Sequence, residues 1–263
     1  MNRDKVALVT GGGTGIGAAT ARRLAADGYR VAVTGRRREP LETVAAEIDG
    51  LALPGDAADA AVARAAVDAT IERFGGLEAV VLNAGGGAPG SVSDVDPGAF
   101  AEVHRVNVVG ALVTAQAALP ALLERRGALV AVASVAGLRA APESVAYCSS
   151  KAALVMLARC IALDHGPARV RANVVCPGWT HTPMGDRAMD GLAHALGGTR
   201  DDAYAEATRH VPLRRACDPS EVAAAIAWLV SDDASYVNGA TLTVDGGGTI
   251  VDTGALAFSE AGA

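Results

Sequence analysis

The sequence is poor in lysine and in aromatic residues. Of its 263 residues only 3% are aromatic, and Lys5 and Lys151 are its only lysines, although lysine and arginine together number 23. Arginine therefore serves almost wherever a positive charge is enough, so a lysine inside a motif indicates a specific chemical requirement. The net charge of −6, with basic residues spread along the chain, argues against nucleic acid as a partner.

Cysteine and histidine are present, but not at the spacings of metal sites or disulfide frameworks. The four cysteines form no C-x-x-C pair and the five histidines form no H-x-x-x-H pair. The sequence therefore predicts reduced thiols and no metal site. No apolar run approaches the roughly 20 residues that cross a membrane, and the start of the chain lacks the pattern of a signal peptide. We expect a cytoplasmic protein with no membrane partner.

Short apolar strands alternate with helical segments along the chain. No Pro/Gly/Ser-rich linker divides it, and 51% of its residues are hydrophobic, which is enough for one large core. This pattern predicts a single-domain α/β fold, residues 1–263, with a doubly wound parallel sheet of about seven strands, helices on both faces and ligands at the carboxyl ends of the strands. The predicted strands are Val6–Val9, Arg30–Thr34, Leu51–Leu53, Ala79–Leu82, Ala128–Ala133, Val170–Val175 and Ala240–Val244. The predicted helices run from about Ile16 to Asp27, from Pro40 to Ile48, from a cap at Asp59 to about Phe74, from Pro97 to about Arg126, from Val145 to about His165 and from Pro219 to Val230. Residues 177–219 are predicted to be irregular, with glycines, prolines and helical fragments.

A glycine turn joins the first strand to the first helix. Gly11, Gly15 and Gly17 follow the buried strand, and the helix begins within the turn. Free N–H groups and the helix dipole make such a helix start an anion site that suits a pyrophosphate. Together with the second strand this forms the strand–helix–strand unit of a dinucleotide site.

The end of the second strand indicates which dinucleotide binds. A site for an unphosphorylated ribose usually has a carboxylate here, but this chain has Arg36 and Arg37 after Thr34 and Gly35. Guanidinium groups suit a 2′-phosphate. The sequence therefore favours NADP(H), with NAD(H) possible, and the alternative interpretation is a solvated basic turn.

Tyr147 and Lys151 lie four residues apart on a predicted helix and hence on one face. A phenol can act as acid and base, and we expect the nearby ammonium to lower the pKa of Tyr147. Ser134, thirteen residues before Tyr147, can hold a substrate oxygen, or it is simply a turn serine at a strand end. Asn107 lies in an apolar helix, where its amide either satisfies local backbone or holds a water chain.

These motifs resemble the short-chain dehydrogenase/reductase family over nearly the whole chain. The matches occur in order, as the TGxxxGIG turn of Thr10 to Gly17, Asp56, Asn83-Ala84-Gly85, Asn107, Ser134, Tyr147 with Lys151, Pro177-Gly178, Asn238-Gly239 and Val244-Asp245-Gly246-Gly247. The resemblance implies a Rossmann-like fold and a catalytic tetrad in which Ser134 positions a carbonyl and Tyr147 transfers the proton. Lys151 would hold the nicotinamide ribose, and Asn107 would organise a proton-relay water. The implied cofactor contacts are Gly11, Thr14, Gly15, Ile16, Gly17, Arg36, Arg37, Asp56 at the adenine amine, Ala57, Asn83, Ala84, Gly85, Tyr147, Lys151, Pro177, Gly178, Thr180 and Thr182.

The family keeps a substrate lid where this chain has residues 179–215, here called the lid segment. Its apolar residues, together with residues 86–90 and 138–142, suggest a mainly apolar pocket for a small-molecule substrate; they are Trp179, Met184, Met189, Leu192 and Leu196. A lone histidine in a loop is more often a bystander than a substrate contact, so a substrate role for His181 is the less favoured interpretation. Asp186 and Arg187 are expected to be solvated charges.

The segment Ala152–Leu163 is apolar nearly all round, so it is buried either in the core or against another copy. Family members are commonly tetramers or dimers through such helices, and we expect a homotetramer or homodimer. The tail, with Ile250, Val251, Leu256 and Phe258, either crosses to a neighbouring subunit or covers its own pocket.

The leading hypothesis is an oxidoreductase that interconverts a ketone and a secondary alcohol. A cofactor-binding sensor or scaffold without turnover is one alternative, and the intact Ser134, Tyr147 and Lys151 argue against it. An epimerase or dehydratase that uses transient oxidation is the other, which the lack of a large C-terminal substrate domain makes less favoured.

Overall fold

The computed structural model describes residues 5–252 and 254–256. In these ranges the chain forms seven strands, which are β1 (Lys5–Thr10), β2 (Tyr29–Gly35), β3 (Leu51–Pro54), β4 (Ala79–Leu82), β5 (Ala128–Val132), β6 (Arg171–Pro177) and β7 (Thr241–Val244). The α-helices are α1 (Gly15–Ala26), α2 (Arg38–Glu47), α3 (Ala60–Phe74), α4 (Pro97–His104), α5 (Gly110–Arg125), α6 (Val145–His165), α7 (Pro183–Leu196), α8 (Arg200–Ala207) and α9 (Pro219–Val230).

The strands form one parallel sheet, as the sequence predicts, in the order β3-β2-β1-β4-β5-β6-β7. Alternate residues of β1 enter opposite cores, since Val6 and Leu8 pack with α3, α5 and α6, whereas Ala7 and Val9 pack with α1, α2 and α9. Both faces of the sheet are therefore covered, which explains why its strands read as continuous apolar runs. Because all strands run the same way, the residues that follow them meet at one edge.

The predicted helix Pro97–Arg126 is continuous but not uniform. Between α4 and α5 the residues Arg105–Val109 form one π-helical turn with Asn107 at its centre, completely buried. Such turns are frequent at functional sites. No sequence pattern indicates this one, because its cause is the contact that Asn107 makes outside the helix.

Residues 177–219, predicted to be irregular with helical fragments, are more regular than expected, since the helices α7 and α8 occupy much of this stretch. Thr182 caps α7 at the amide of Gly185, Pro183 takes the first helical position, and Gly197 ends the helix in a left-handed conformation. The two helices enclose a small core of their own, which consists of Met189, Ala193, Ala203, Tyr204 and Ala216. The lid segment is therefore a folded helical pair.

The expectation that no apolar stretch has the length of a membrane span also needs correction. The helical stretches Pro97–Arg125 and Val145–Ala168 are long and apolar enough by length and composition, with mean hydropathies of 1.7 and 1.4. Both cover one face of the sheet and bury 44% and 39% of their most apolar windows against it. Core helices of α/β proteins have the same properties, so this feature is weak evidence for a membrane.

Candidate active site

The glycine turn is packed so closely that side chains would not fit at its key positions. Gly11 and Gly15 have positive φ angles of 64° and 54°, and a Cβ at Gly17 would overlap the carbonyl oxygen of Gly11. The side chain of Thr14 does not cap α1; its hydroxyl instead accepts a hydrogen bond from Arg37 at 3.0 Å. The first N–H groups of α1 therefore have no side-chain cap, which suits a phosphate.

Asn83 ties the end of β4 to this turn. Its side-chain amide donates to the carbonyl oxygens of Thr10 and Gly11 at 2.9 and 3.2 Å. In return, the Thr10 hydroxyl accepts the N–H groups of Asn83 and Ala84. The segment Asn83–Gly85 is thus fixed beside the glycine turn, where a cofactor floor is expected.

Asp56 is already engaged at the predicted adenine end of the site. Its carboxylate accepts the N–H of Ala58 at 3.0 Å and the guanidinium of Arg105 at 2.8 Å. These two bonds, with a smaller contribution from the positive charge of Arg36, hold the pKa of Asp56 below its usual range. Arg105 was missed by sequence reasoning, because 49 residues separate it from Asp56 and no local pattern connects them. Ala57 follows Asp56 and is partly buried.

Tyr147 and Ser134 meet at the carboxyl edge of the sheet. Ser134 follows β5 and accepts the N–H of Ala136 at 3.1 Å, so it does form a turn. Its side chain also faces Tyr147 closely enough to lower the pKa of the phenol. The structure therefore shows the turn serine, and the role of Ser134 in holding a substrate oxygen stays a prediction.

Lys151 lies on the same face of α6, one turn after Tyr147. It is 4% exposed, donates to the carbonyl oxygen of Val132 at 2.8 Å, and its nitrogen lies 5.6 Å from the centre of the Tyr147 ring. Burial lowers the pKa of Lys151 to about 8.

The expectation that Lys151 lowers the pKa of Tyr147 is wrong for the protein without cofactor. Burial raises the pKa of Tyr147, and the side chain of Ser134 offsets only part of this effect. The physical reason is that desolvation disfavours the phenolate, while the ammonium is itself buried and sits over the ring rather than at the hydroxyl.

Protein groups engage both N–H groups of the Asn107 side-chain amide and one acceptor position of its oxygen. Its oxygen accepts the N–H of Gly86 at 2.8 Å, and its nitrogen donates to the Gly86 carbonyl and to Ser150 Oγ, each at 2.9 Å. The amide therefore satisfies local backbone, as the first interpretation expects, and the water chain stays a prediction. Ser150, which sequence reasoning missed, in turn donates to the carbonyl of Tyr147 at 2.8 Å. A chain of hydrogen bonds thus joins Gly86, Asn107, Ser150 and the helix turn that carries Tyr147 and Lys151.

Glycines leave room for a flat ligand beside Tyr147 and Lys151. A Cβ at Gly85 would lie 3.3 Å from Lys151 Nζ, and one at Gly87 would lie 3.3 Å from the Tyr147 ring. Side chains at these positions would fill the space in front of the phenol and the ammonium. The space that Gly85 and Gly87 leave in front of Tyr147 and Lys151, here called the glycine cradle, therefore fits a nicotinamide ring and its ribose.

Residues after β6 complete the edge. The N–H of Gly178 donates to the Val244 carbonyl at 3.0 Å, and a Cβ at Gly178 would touch Asp245. The closing Val244–Gly247 motif thus packs against the Pro177-Gly178 turn. Thr180 is buried, and the methyl group of Thr182 lies against Gly15.

The residues expected to form an apolar substrate pocket separate into two groups. Trp179, Met184 and Leu196 are exposed, with Leu138 near Ser134 also exposed. Met189 is 1% exposed inside the core of α7 and α8, with Leu192 packed against it, so its assignment to the pocket is wrong. The apolar periodicity of an amphipathic helix caused this error.

Three charged or polar residues of the lid segment have different surroundings. Asp186 is not a freely solvated charge, because it accepts the hydroxyl of Tyr204 at 2.9 Å. Arg187 is exposed, as expected. The ring of His181 packs on the ring of Tyr204, with centroids 4.3 Å apart.

In the tail of the chain, Ile250 is exposed and Val251 and Leu256 are partly buried, while Phe258 lies outside the described residues.

Known proteins resemble this chain over nearly its whole length. Residues 11–249 match the family model described as Enoyl-(Acyl carrier protein) reductase. The chain is 40% identical to Protein MoaE of Klebsiella aerogenes, with 97% of this chain and 99% of that protein covered. It is 35% identical to meso-2,3-butanediol dehydrogenase of Serratia marcescens, with 95% and 96% covered.

Several solved structures have a backbone fold similar to that of this chain. Levodione reductase superposes with a TM-score of 0.90 at 34% identity, covering 95% of this chain and 99% of its own. A single-substitution variant of actinorhodin polyketide ketoreductase with NADPH gives 0.89 at 31% identity, with 93% and 97% covered. The 3-ketoacyl-(acyl-carrier-protein) reductase from Brucella melitensis complexed with NADH gives 0.84 at 30% identity, with 94% and 99% covered.

Proposed function

Because the chain belongs to the short-chain dehydrogenase/reductase family, we propose that it interconverts a ketone and a secondary alcohol with NADP(H) as its preferred cofactor. Its relatives are NAD(P)-dependent dehydrogenases and ketoreductases, so the chain is an oxidoreductase acting on CH–OH donors. The observation that carries the proposal is the convergence of Ser134, Tyr147 and Lys151 on the glycine cradle at the carboxyl edge of the sheet.

The chain's own residues have separate tasks in this reaction. A nicotinamide cofactor bound in the cradle would supply the hydride acceptor for alcohol oxidation or the hydride donor for ketone reduction. Ser134 would hold the substrate oxygen, and Tyr147 would give or take the proton at that oxygen. Lys151 would bind the nicotinamide ribose, and its positive charge there would favour the phenolate. Asn107 would hold the Gly86 segment in place through its amide.

The preference for NADP(H) rests on the basic turn after β2. Arg37 reaches Thr14 at the start of α1, and the charge of Arg36 acts on Asp56. Neither guanidinium pairs with a carboxylate in the described part of the chain. Relatives with NADPH and with NADH are both known, so the preference depends on these side chains. A 2′-phosphate bonded by one of them would favour NADP(H) by roughly ten- to a hundredfold.

We also propose that the chain forms a homodimer or homotetramer through the outer faces of α5 and α6. Exposed apolar side chains recur at helical spacing along both helical stretches. They are Val109, just before α5, Leu112 and Leu123 on α5, and Met156 and Leu163 on α6. The two helices share one core, and we propose that their exposed apolar side chains form one surface. A large exposed apolar surface favours burial against another copy.

The substrate and the cellular location are proposed on simpler grounds. Exposed Leu138, Trp179 and Met184 near the site favour a small molecule with a mainly apolar body, and we propose that the lid segment covers it. The four cysteines are free thiols, which supports a reducing compartment such as the cytoplasm.

The first experiment is a parallel titration of the purified protein with NADPH and NADH, followed by a panel of ketones in the same cuvette. Tighter binding of NADPH, and its consumption with at least one ketone, is the expected result. Equal affinity for both cofactors would contradict the NADP(H) preference. Binding without consumption over a broad panel would contradict the proposed reaction and favour a sensor.

A further inference from the structure

Tyr204 on α8 is a buried tyrosine whose hydroxyl faces the start of α7. It is 5% exposed, and its hydroxyl oxygen lies 2.9 Å from Asp186 Oδ1 and 3.4 Å from the carbonyl oxygen of Thr180. Burial raises the pKa of Tyr204, and the adjacent Asp186 carboxylate raises it further, so the hydroxyl keeps its proton and remains a donor.

The segment that receives this hydroxyl is a tightly bonded turn. Thr182 Oγ1 accepts the N–H of Gly185 at 3.0 Å, and the Thr182 carbonyl accepts the N–H of Asp186 at 2.7 Å. A Cβ at Gly185 would lie 2.8 Å from the Tyr204 hydroxyl oxygen and would overlap the Thr180 carbonyl oxygen. Glycine at 185 therefore lets the Tyr204 hydroxyl approach the turn.

The same turn lies against the glycine turn of the cofactor site. A Cβ at Gly15 would be only 3.0 Å from the methyl carbon of Thr182, and Gly15, His181 and Pro183 line one groove of about 660 Å³. On its other side the segment pairs with Cys217, through His181 N–H to the Cys217 carbonyl at 3.0 Å. Residues 180–186 are thus held by α8, by the pairing with Cys217 and by contact with the glycine turn at Gly15.

We propose that Tyr204 is a positioning residue whose hydroxyl, through Asp186 and the Thr180 carbonyl, fixes residues 180–186 against Gly15 and so presents Thr180 and Thr182 to the cofactor. This inference rests on the proposed function for its effect on catalysis. The hydroxyl itself touches neither substrate nor cofactor, since it is enclosed between α7 and α8. Its loss should therefore weaken cofactor binding more than it slows proton transfer at Tyr147.

The test compares Tyr204→Phe with Asp190→Asn. The first removes only the hydroxyl, whereas the second breaks the exposed pair between α7 and α8, in which Arg200 bonds Asp190 at 2.7 and 2.9 Å. For Tyr204→Phe we expect Kd and KM for NADPH to rise by up to about tenfold, because cofactor binding must then order residues 180–186, at a cost no larger than that of one lost hydrogen bond to a charged group. Its kcat should stay within about twofold of the wild type. Asp190→Asn should bind NADPH like the wild type.

Hydrogen exchange of the cofactor-free proteins provides an independent readout. Tyr204→Phe should exchange faster at the amides of residues 182–186, with the β1–β2 amides unchanged; Asp190→Asn should not. Unchanged exchange there, or unchanged NADPH affinity in a folded Tyr204→Phe protein, would overturn the inference, as would an equal effect of Asp190→Asn. A wild-type protein that binds NADPH but reduces no ketone would overturn the proposed reaction alone.

If Tyr204→Phe does not fold, Asp186→Ala removes the acceptor instead and should give the same changes. In a double variant the two effects on NADPH binding should add to less than their sum, because both substitutions remove the bond between Tyr204 and Asp186, while Asp186→Ala also removes the pair of Asp186 with Arg200 at 3.6 Å. Full additivity would overturn the inference.

Discussion

Lys151 and Tyr147 contact each other side by side rather than end to end, with the ammonium nitrogen 5.6 Å from the ring centre of the tyrosine. The ammonium is directed by its bond to the Val132 carbonyl at the end of β5. The sheet therefore sets the position of the lysine, and the helix sets that of the tyrosine. Electrostatic assistance from Lys151 to the phenol should develop only when the cofactor is bound.

Tyr147→Phe should lower turnover by about 10² to 10⁴, because the variant keeps the ring but loses the group that transfers the proton. NADPH binding should remain near normal. The measurement is steady-state turnover with a ketone that the wild type reduces, beside a fluorescence titration with NADPH. Retained turnover would rule out Tyr147 as the acid and base.

Lys151 should make the stability of the cofactor-free protein depend on pH. Its folded pKa of about 8 lies below the ordinary value of 10.5. Between these values the unfolded chain binds more protons than the folded one, so the free energy of unfolding rises with pH. The contribution from Lys151 should increase by about 1 kcal/mol between pH 7 and pH 9.

Buried thiols act in the opposite direction in the same range, since burial raises the pKa values of Cys176 and Cys217 to about 11. Urea unfolding of the wild type and of Lys151→Met at pH 7, 8 and 9 separates the two effects, because the thiols are common to both proteins. The wild type should gain stability relative to the variant as the pH rises. A constant difference would mean that Lys151 does not titrate in this range.

Arg36→Asp should weaken NADPH binding by about ten- to a hundredfold and spare NADH, because the new carboxylate repels a 2′-phosphate and can accept ribose hydroxyls. Arg38→Asp is the control with the same change of charge. Arg38 lies at the start of α2 and pairs with Glu42 at 3.1 Å. If both variants weaken both cofactors equally, the effect is general electrostatics, and Arg36 does not select NADP(H).

The parts of the fold that local chemistry determines could be predicted from the sequence. The predicted helices Val145 to about His165 and Pro219 to Val230 agree with α6 and α9, and the structure shows that Asp218 caps α9 with Pro219 at its first position. Contacts between distant segments could not be predicted. Arg105 with Asp56 and Ser150 with Asn107 join residues 49 and 43 positions apart, and neither pair follows a helical or strand period.

Ser150→Ala should reduce both stability and turnover, although Ser150 touches no substrate. The variant leaves one amide hydrogen of buried Asn107 without its partner, which costs about 1–3 kcal/mol. The Gly86 segment beside Tyr147 then loses part of its support. Ser149→Ala is the matched control, since Ser149 bonds the Val145 carbonyl and His104 but not Asn107. Urea unfolding and kcat should change more for Ser150→Ala, and equal effects of the two variants would contradict the role of the Asn107 contact.

Charge on the outer face of α6 should break the proposed assembly without unfolding the subunit. Met156 and Leu163 are 55% and 78% exposed, so glutamate at either position costs little in the monomer but would be buried against another copy. Val92→Glu is the control, because Val92 is 84% exposed and lies outside α5 and α6. Sedimentation velocity should show a dimer or tetramer for the wild type and for Val92→Glu, and smaller species for Met156→Glu and Leu163→Glu. An unchanged sedimentation coefficient in both α6 variants would place the interface elsewhere, and a monomeric wild type would exclude the assembly itself.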